Sequence, residues 1–445
     1  MAGTVPKPGY IFDRVAEWQA LAEFATGDRL GATLGVVSGR RRQGKTLLLE
    51  SMCEELGGLY STVPEDMPAS EHLRRLAEAL GAFTGGLPPR LDSWDQAIEA
   101  LFGLGAAGRP VLVVLDEFPY MARSASGLPS IIQHALSPRG KARTGSRTRL
   151  ILCGSSISFM GQLVSGSAAL FGRARLSLMV RAFDFRAAAR FWGVSHDLPL
   201  AAALFAMVGG TPAYIEYASG VPASLGELDE WVTRNLLELD QHAVPPAADA
   251  AERGFGVQPD RDVRDCAERD RRGQSHGVRD RPAGRGSTSD VNHRPEWAAR
   301  LWAESAETFR SQVMGPTFEA MCRVWTEEFA SGVTPGGEPD TVSHGVLNDP
   351  AGRSQRKLDI VVRDSRRGLV AIGEAMSGEV IGHGHLSQLR EAVNLLRAQS
   401  HLEPGVQPVL LLFSGAGFTP GLAAEAADSG GTVQLIGLER LYSGL

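Results

Sequence analysis

Lysine is nearly absent from this chain of 445 residues, where only Lys7, Lys45, Lys141 and Lys357 occur and arginine supplies almost all remaining positive charge. Net charge is only -6, so bulk electrostatics do not mark a nucleic-acid-binding protein. Cysteine is also scarce. Cys53, Cys153, Cys266 and Cys322 are widely scattered without a C-x-x-C pair, which excludes a cysteine-based zinc cluster and suits a reducing cytosol. No apolar run approaches the ~20 residues a membrane helix needs, and the N-terminus MAGTVPKPGY has no apolar signal region. A cytoplasmic protein of about two to three domains is expected.

One stretch lacks the means to build a core. From Asp240 to Arg300 there is no leucine, isoleucine, methionine or tyrosine. Between Gln241 and Ala299 ten arginines face ten acidic residues, so the segment is charge-balanced, a poor basic arm, and reads as a linker. A reading-frame shift in a GC-rich gene would leave the same texture, and translating the other frames would then expose a leucine-rich helix-turn-helix pattern.

Against that scarcity, one lysine stands in a full G-x-x-x-x-G-K-T pattern, residues 39 to 46, Gly-Arg-Arg-Arg-Gln-Gly-Lys-Thr. Ala32 to Ser38 before it reads as a short buried strand, and Leu47 to Leu56 after it as a helix. Strand, loop and helix are the context in which such a loop binds phosphates. Gly39 and Gly44 permit backbone conformations that let successive N–H groups cradle phosphate oxygens, and the helix N-terminus adds partial positive charge. Lys45 is placed to reach the β- and γ-phosphates and Thr46 to ligate magnesium. The expected nucleotide-contacting set is Gly39, Arg40, Arg41, Arg42, Gln43, Gly44, Lys45, Thr46 and Leu47. The three arginines are open between direct contact and solvated charge near a polyanion.

Val111 to Glu117, VLVVLDE, is an apolar strand ending in two carboxylates. With this strand beside the phosphate loop, Asp116 would hold magnesium through water, and Glu117 would orient and deprotonate the attacking water. Leu150 to Cys153 is a further buried strand, followed by Ser155 and Ser156, either of which can sense the γ-phosphate or the lytic water. Arg173 is a candidate arginine finger, acting within its own subunit or on a neighbour, with a surface salt bridge as the competing explanation. Continuous apolar runs predict a parallel sheet covered on both faces. Helical spacing over residues 183 to 240 predicts a lid, and normal patterning resumes near Trp302. There, a helix around Phe318 to Phe329, strands near Leu358 to Val362, Leu369 to Ile372 and Val409 to Phe413, and a helix from Leu386 to Leu396 make a second α/β domain.

The set GRRRQGKT at 39, VLVVLDEFPYM at 111, LILCGSSISFM at 150, LFGRA at 170 and GGTPAYI at 209 resembles the archaeal-type P-loop ATPases, a branch near the AAA and STAND ATPases. The resemblance spans about residues 10 to 240. It implies a P-loop ATPase core over 10 to 182, ATP and magnesium as cofactors, adenine contacts near Phe12 and Arg14, and a turn at Gly210 and Pro212 that packs on the nucleotide. The C-terminal third, 300 to 445, resembles the restriction-endonuclease-like domain that follows the ATPase in part of this family. The pieces are RSQVMGPTFEAMCRVW at 310, KLDIVV at 357, LVAIGEAM at 369, VLLLFSGAGFTP at 409 and VQLIGLERLYSG at 433.

In that fold Asp359 and Glu374 match a metal-binding pair, with Glu319 as a third carboxylate from a helix. The expected E-x-K, however, reads Glu374-Ala375-Met376, so the lysine charge is missing and an inactive nuclease is expected. His383 and His385 have no partner at metal-ligand spacing. No winged helix is legible where relatives of this architecture carry one. The resemblance thus implies an ATPase, with DNA as macromolecular partner and the chance of a homo-oligomer. The alternatives are a STAND-like nucleotide switch with slow hydrolysis and an ATP-regulated nuclease.

Overall fold

The computed structural model describes residues 5 to 138, 140, 144 to 237, 295 to 349, 354 to 402 and 405 to 444. The expected linker, 241 to 299, lies almost wholly outside the described residues, and with it the question of a winged helix. Two compact units form, one from Met1–Ala182 with Thr211–Ala213, the other from Phe183–Gly210 with Tyr214–Leu445.

The first unit is built on an all-parallel sheet of β1 (Thr33–Ser38), β2 (Leu59–Thr62), β3 (Val111–Asp116), β4 (Thr148–Gly154) and β5 (Ala174–Met179), in spatial order β2-β3-β4-β1-β5. Successive side chains go to opposite faces, and both faces are covered. Val111, Val113 and Leu115 pack on one side with Leu34, Val36, Leu150 and Leu152. Leu112 and Val114 pack on the other with Val37, Ile151 and Cys153, under Trp18 and Leu21 of α1 (Val15–Thr26) and Leu48, Leu49 and Met52 of α2 (Lys45–Leu56). Such two-sided burial is why these strands read as unbroken apolar runs. A parallel sheet with helices on both faces, and the glycine-rich loop between β1 and α2, fits the P-loop NTPase fold. β4 lies between β3 and the loop-bearing β1 and pairs with both, and the end of β3 still reaches the loop, where Thr46 Oγ1 stands 3.0 Å from Asp116 Oδ2.

Two strands of this sheet escaped the sequence pattern for a physical reason. β5 is an edge strand whose residues alternate between half-buried and exposed, and β2 is only four residues long.

The second unit carries a mixed sheet, β6 (Thr341–Asp349), β7 (Ser354–Asp364), β8 (Gly368–Met376), β9 (Val409–Ser414) and β10 (Val433–Gly437), in the order β10-β9-β8-β7-β6. β6, β7 and β8 run antiparallel, while β8, β9 and β10 run parallel. The helices Phe185–Phe191 and Leu198–Val208, in the segment expected as a lid, pack within this unit. Arg186 donates from Nε to the Leu441 carbonyl at 2.7 Å and lies 4.0 Å from the Phe329 ring centroid, while Phe185 stacks edge-on to Tyr442 at 5.1 Å.

Arg149, on β4, is almost wholly buried, and it ties the turn between α1 and β1. Its guanidinium donates to the carbonyls of Gly31 at 2.8 Å, Gly27 at 2.8 Å and Arg29 at 2.6 Å. Arg149→Met leaves those carbonyls without their buried donors and is expected to cost about 2–4 kcal/mol. A lower urea midpoint with unchanged slope for the transition that unfolds the first sheet checks it. An unchanged midpoint would show that the guanidinium contributes nothing net.

Candidate functional site

The site forms where β1, β3 and β4 end on the same edge of the first sheet. Gly39 has φ +152°, and a Cβ there would collide with the carbonyl oxygen of Val180, the residue that follows β5. Gly44 has φ +82° and caps α2, a left-handed conformation that a side chain would strain. Between them Gln43 is buried, and its Oε1 accepts the Arg40 N–H at 3.0 Å, which folds the loop over itself. Arg42 also has positive φ, at 68°. The glycine loop thus leads directly into the N-terminus of α2, where free backbone N–H groups can take an anion.

Lys45 is buried, and its Nζ donates to the Arg40 carbonyl at 2.7 Å. Burial lowers its pKa, and the charges of Asp116 and Glu117 and the Cys153 thiol oppose that shift. A polyanion bound in the loop would return the electrostatic support that burial removes.

Asp116 ends β3 with its carboxylate buried and three donors on it. Thr46 Oγ1 donates to Oδ2 at 3.0 Å, Tyr60 OH to Oδ2 at 2.6 Å, and the Glu117 N–H to Oδ1 at 2.8 Å. The Thr46 hydroxyl and the Asp116 carboxylate, side by side at the loop, are the hard oxygen donors that magnesium takes alongside phosphates and water. On that donor set the residues fit a magnesium–nucleotide.

Glu117 follows with φ 52°, which turns its side chain away from the strand direction, and Ser155 Oγ donates to its Oε2 at 3.4 Å. Burial raises the Glu117 pKa, and Asp116 raises it further, against the lowering effects of Lys45, Arg41 and Ser155. Ser156 stands next to Ser155 as the N-cap of the helix Ile157–Leu163, at the end of the strand between β1 and β3.

The other expected residues fall in different places. Arg14 is buried with φ 51°, and its guanidinium donates to the Gln43 carbonyl at 3.2 Å, the Arg181 carbonyl at 2.6 Å and Glu17 at 2.9 Å. It therefore braces the loop from behind. Phe12 is half-buried just ahead of it, Leu47 is exposed on α2, and Pro212 lies in the short segment that clusters with the first unit. Arg41 turns outward to Glu65 at 3.1 Å and to the Tyr120 hydroxyl.

Arg173 is not brought to the loop. It precedes β5, whose Ala174 pairs with Leu34 near the start of β1, whereas Met179 pairs with Ser38 at the loop end. Five residue steps, from Ala174 to Met179, separate the two ends, about 17 Å. Arg173 donates instead to the Leu136 carbonyl at 3.3 Å, away from its own subunit's loop.

Sequence reasoning missed Tyr60 and Cys153. Tyr60 sits on the short β2, next to β3, and burial with the Asp116 charge pushes its hydroxyl pKa up, which keeps it a donor. Cys153 is the penultimate residue of β4, and its pKa is raised by burial and by Asp116, against the lowering effect of Lys45. Tyr60 belongs to no motif and Cys153 is only an apolar position within LILCGSSISFM, and the strand order brings both here.

In the second unit Asp359 on β7 and Glu374 on β8 lie across from each other, flanking the Ile360–Gly373 pair. Burial raises the Glu374 pKa. Asp359 and Glu319 are already engaged by Lys357, and among the described residues no group of three or more His, Cys, Asp or Glu is arranged to hold a metal. His383 and His385 stand near Glu425 and Glu379, at 3.3 and 3.9 Å.

No protein-family model matches the chain, and comparison with curated proteins gives no match. Among solved structures it is similar to a Walker-type ATPase of Pyrococcus abyssi, at 19% identity over 59% of this chain and 76% of that one, with a TM-score of 0.34. It is also similar to the ORC2 protein of Aeropyrum pernix in its ADPNP–ADP complexes, at 14% identity over 70% and 88%, TM-score 0.38. A third is Cdc6p of Pyrobaculum aerophilum, at 14% identity over 49% and 63%, TM-score 0.34. These likenesses are too distant to carry function to this chain. None of the described helices is long and apolar enough to cross a membrane.

The raised Glu117 pKa has a consequence for stability. A carboxyl that binds its proton more tightly in the folded state contributes stability at low pH and loses it as pH rises through the folded value. The unliganded Glu117→Gln protein is therefore expected to melt above wild type at neutral and alkaline pH, with the difference vanishing below the ordinary 4.5. A pH-independent difference would contradict the shift.

Proposed function

We propose that the first unit binds ATP with magnesium and hydrolyses it. The observation that supports this best is the meeting of the Thr46 hydroxyl and the Asp116 carboxylate, 3.0 Å apart, at the end of a left-handed glycine loop that opens a helix. Loop amides and the Lys45 ammonium bind the phosphates, replacing the internal Lys45 contact to Arg40. Thr46 and Asp116 would hold the magnesium, which would supply charge neutralisation for the phosphate oxygens. Glu117 accepts a proton from a water whose oxygen attacks the γ-phosphorus, while the bond to the β,γ-bridging oxygen breaks and ADP leaves. Ser155 holds the Glu117 carboxylate toward that water. Half-burial beside Asp116 makes Glu117 a stronger base than an exposed carboxylate would be, because its raised pKa gives it more affinity for the proton it must take.

DNA is the partner that the sequence resemblance implies, with hydrolysis coupled to the second unit. Stimulation of ATP turnover by single- or double-stranded DNA is the expected result, and indifference to both removes DNA from the proposal.

Glu117→Gln separates a hydrolase from a slow nucleotide switch. Turnover is expected to fall about 100- to 10,000-fold while ATP affinity holds. Lys45→Ala is expected to lose affinity itself, read by calorimetry. Wild-type turnover no faster than that of Glu117→Gln would leave binding without hydrolysis.

A further inference from the structure

The nuclease-like resemblance of the second unit implies a divalent metal between Asp359 and Glu374, and the side chains there do not fit one. Glu319, from the helix Gly315–Val324, presents both carboxylate oxygens to the Lys357 ammonium at 2.6 Å. Asp359 Oδ1 lies 3.0 Å from the same nitrogen. Its Oδ2 accepts the Ala375 N–H at 3.1 Å, and its backbone carbonyl accepts Arg323 NH1 at 2.9 Å. Arg323 also stands 3.8 Å from Glu319. Lys357 and Asp359 are two residues apart on β7, so both side chains rise from the same face of the sheet toward that helix. An ammonium has three N–H bonds, and the three short carboxylate contacts can use all of them.

We propose that Lys357 is the cation of this cluster: its ammonium takes the place of a divalent metal between Glu319 and Asp359, and the second unit holds its carboxylates together without one. The sequence context agrees. Met376 removes the lysine charge from the strand where a metal-dependent nuclease needs it, and a lysine appears instead on the neighbouring strand, in a chain that has only four. Met376 instead packs, partly buried, on the apolar core of the second unit. At Lys357 the charge stands among the carboxylates. A metal ligated by Asp359 and Glu319 would have to displace the ammonium and leave two cations against the same two carboxylates.

The test is Mn2+ binding by electron paramagnetic resonance in the full, nucleotide-free chain. Asp116→Asn is included throughout so that only the second unit is counted. That protein is expected to show no Mn2+ site. Lys357→Met and Lys357→Gln are each expected to gain one Mn2+ site, at a Mn2+ concentration at least about tenfold below the highest at which the parent shows none. Adding Asp359→Asn to either should abolish the gain. Two results would overturn the proposal: Mn2+ binding with Lys357 intact that Asp359→Asn removes, or no gain in either lysine variant. Should both variants fail to fold in metal-free buffer, Mn2+ rescue of the fold supports the exchange of ammonium for metal, and failure of rescue contradicts it.

Discussion

A buried carboxylate at the end of β3 holds the first unit's working edge together. Asp116 can be buried because its oxygens are met from three directions, by the Thr46 hydroxyl at the start of α2, the Tyr60 hydroxyl on β2 and the Glu117 amide just beyond the strand. An unpaired buried carboxylate would cost several kcal/mol, so these donors are a condition for the edge to close. They also span the sheet. β4 lies between β3 and β1, yet the Thr46 bond joins the end of β3 to the helix that follows β1. The same three donors fix Asp116 at the phosphate loop and leave Glu117 one residue further on, in a left-handed turn, within reach of Ser155.

Both units carry a lysine among carboxylates, and the surroundings decide what each can do. Lys45 is buried, its Nζ bonded to a loop carbonyl, and the nearby acids are held by other donors, so an incoming phosphate can compete for it. Lys357 is half-exposed but bonded directly to Glu319 and Asp359 by short contacts. An ammonium with its acids already in place has little left to offer a ligand. The contrast turns on where hydroxyl and amide donors stand: Asp116 has three, whereas Asp359 depends on one amide and the lysine.

What could be read from residues alone follows from how far each feature depends on chain neighbours. The loop at 39 to 46, the acids after VLVVL and the strands β1, β3 and β4 were legible because local pattern carries them, and two-sided burial made those strands continuous apolar runs. The edge strands were not. β5 alternates half-buried and exposed residues, and β6 is mostly exposed, so neither shows an apolar run. Arg173 was attractive as a finger because LFGRA follows the other motifs in order, but order along the chain does not say at which end of a strand a residue lies. Tyr60, Cys153 and Lys357 take their roles from strand adjacency, which no single-sequence pattern supplies. Arg14, taken as an adenine contact, spends its guanidinium on the carbonyls of Gln43 and Arg181.

If Asp116 and Thr46 are the magnesium-facing pair of a nucleotide site, the most direct test is the metal dependence of ATP binding. ATP affinity should be measured by calorimetry with and without magnesium, in wild type and in Asp116→Asn. Wild type should bind ATP more tightly when magnesium is present, and Asp116→Asn should lose most of that difference while keeping metal-free affinity from the loop amides and Lys45. Equal magnesium dependence in both proteins, or no ATP binding by wild type, would contradict the site at its centre.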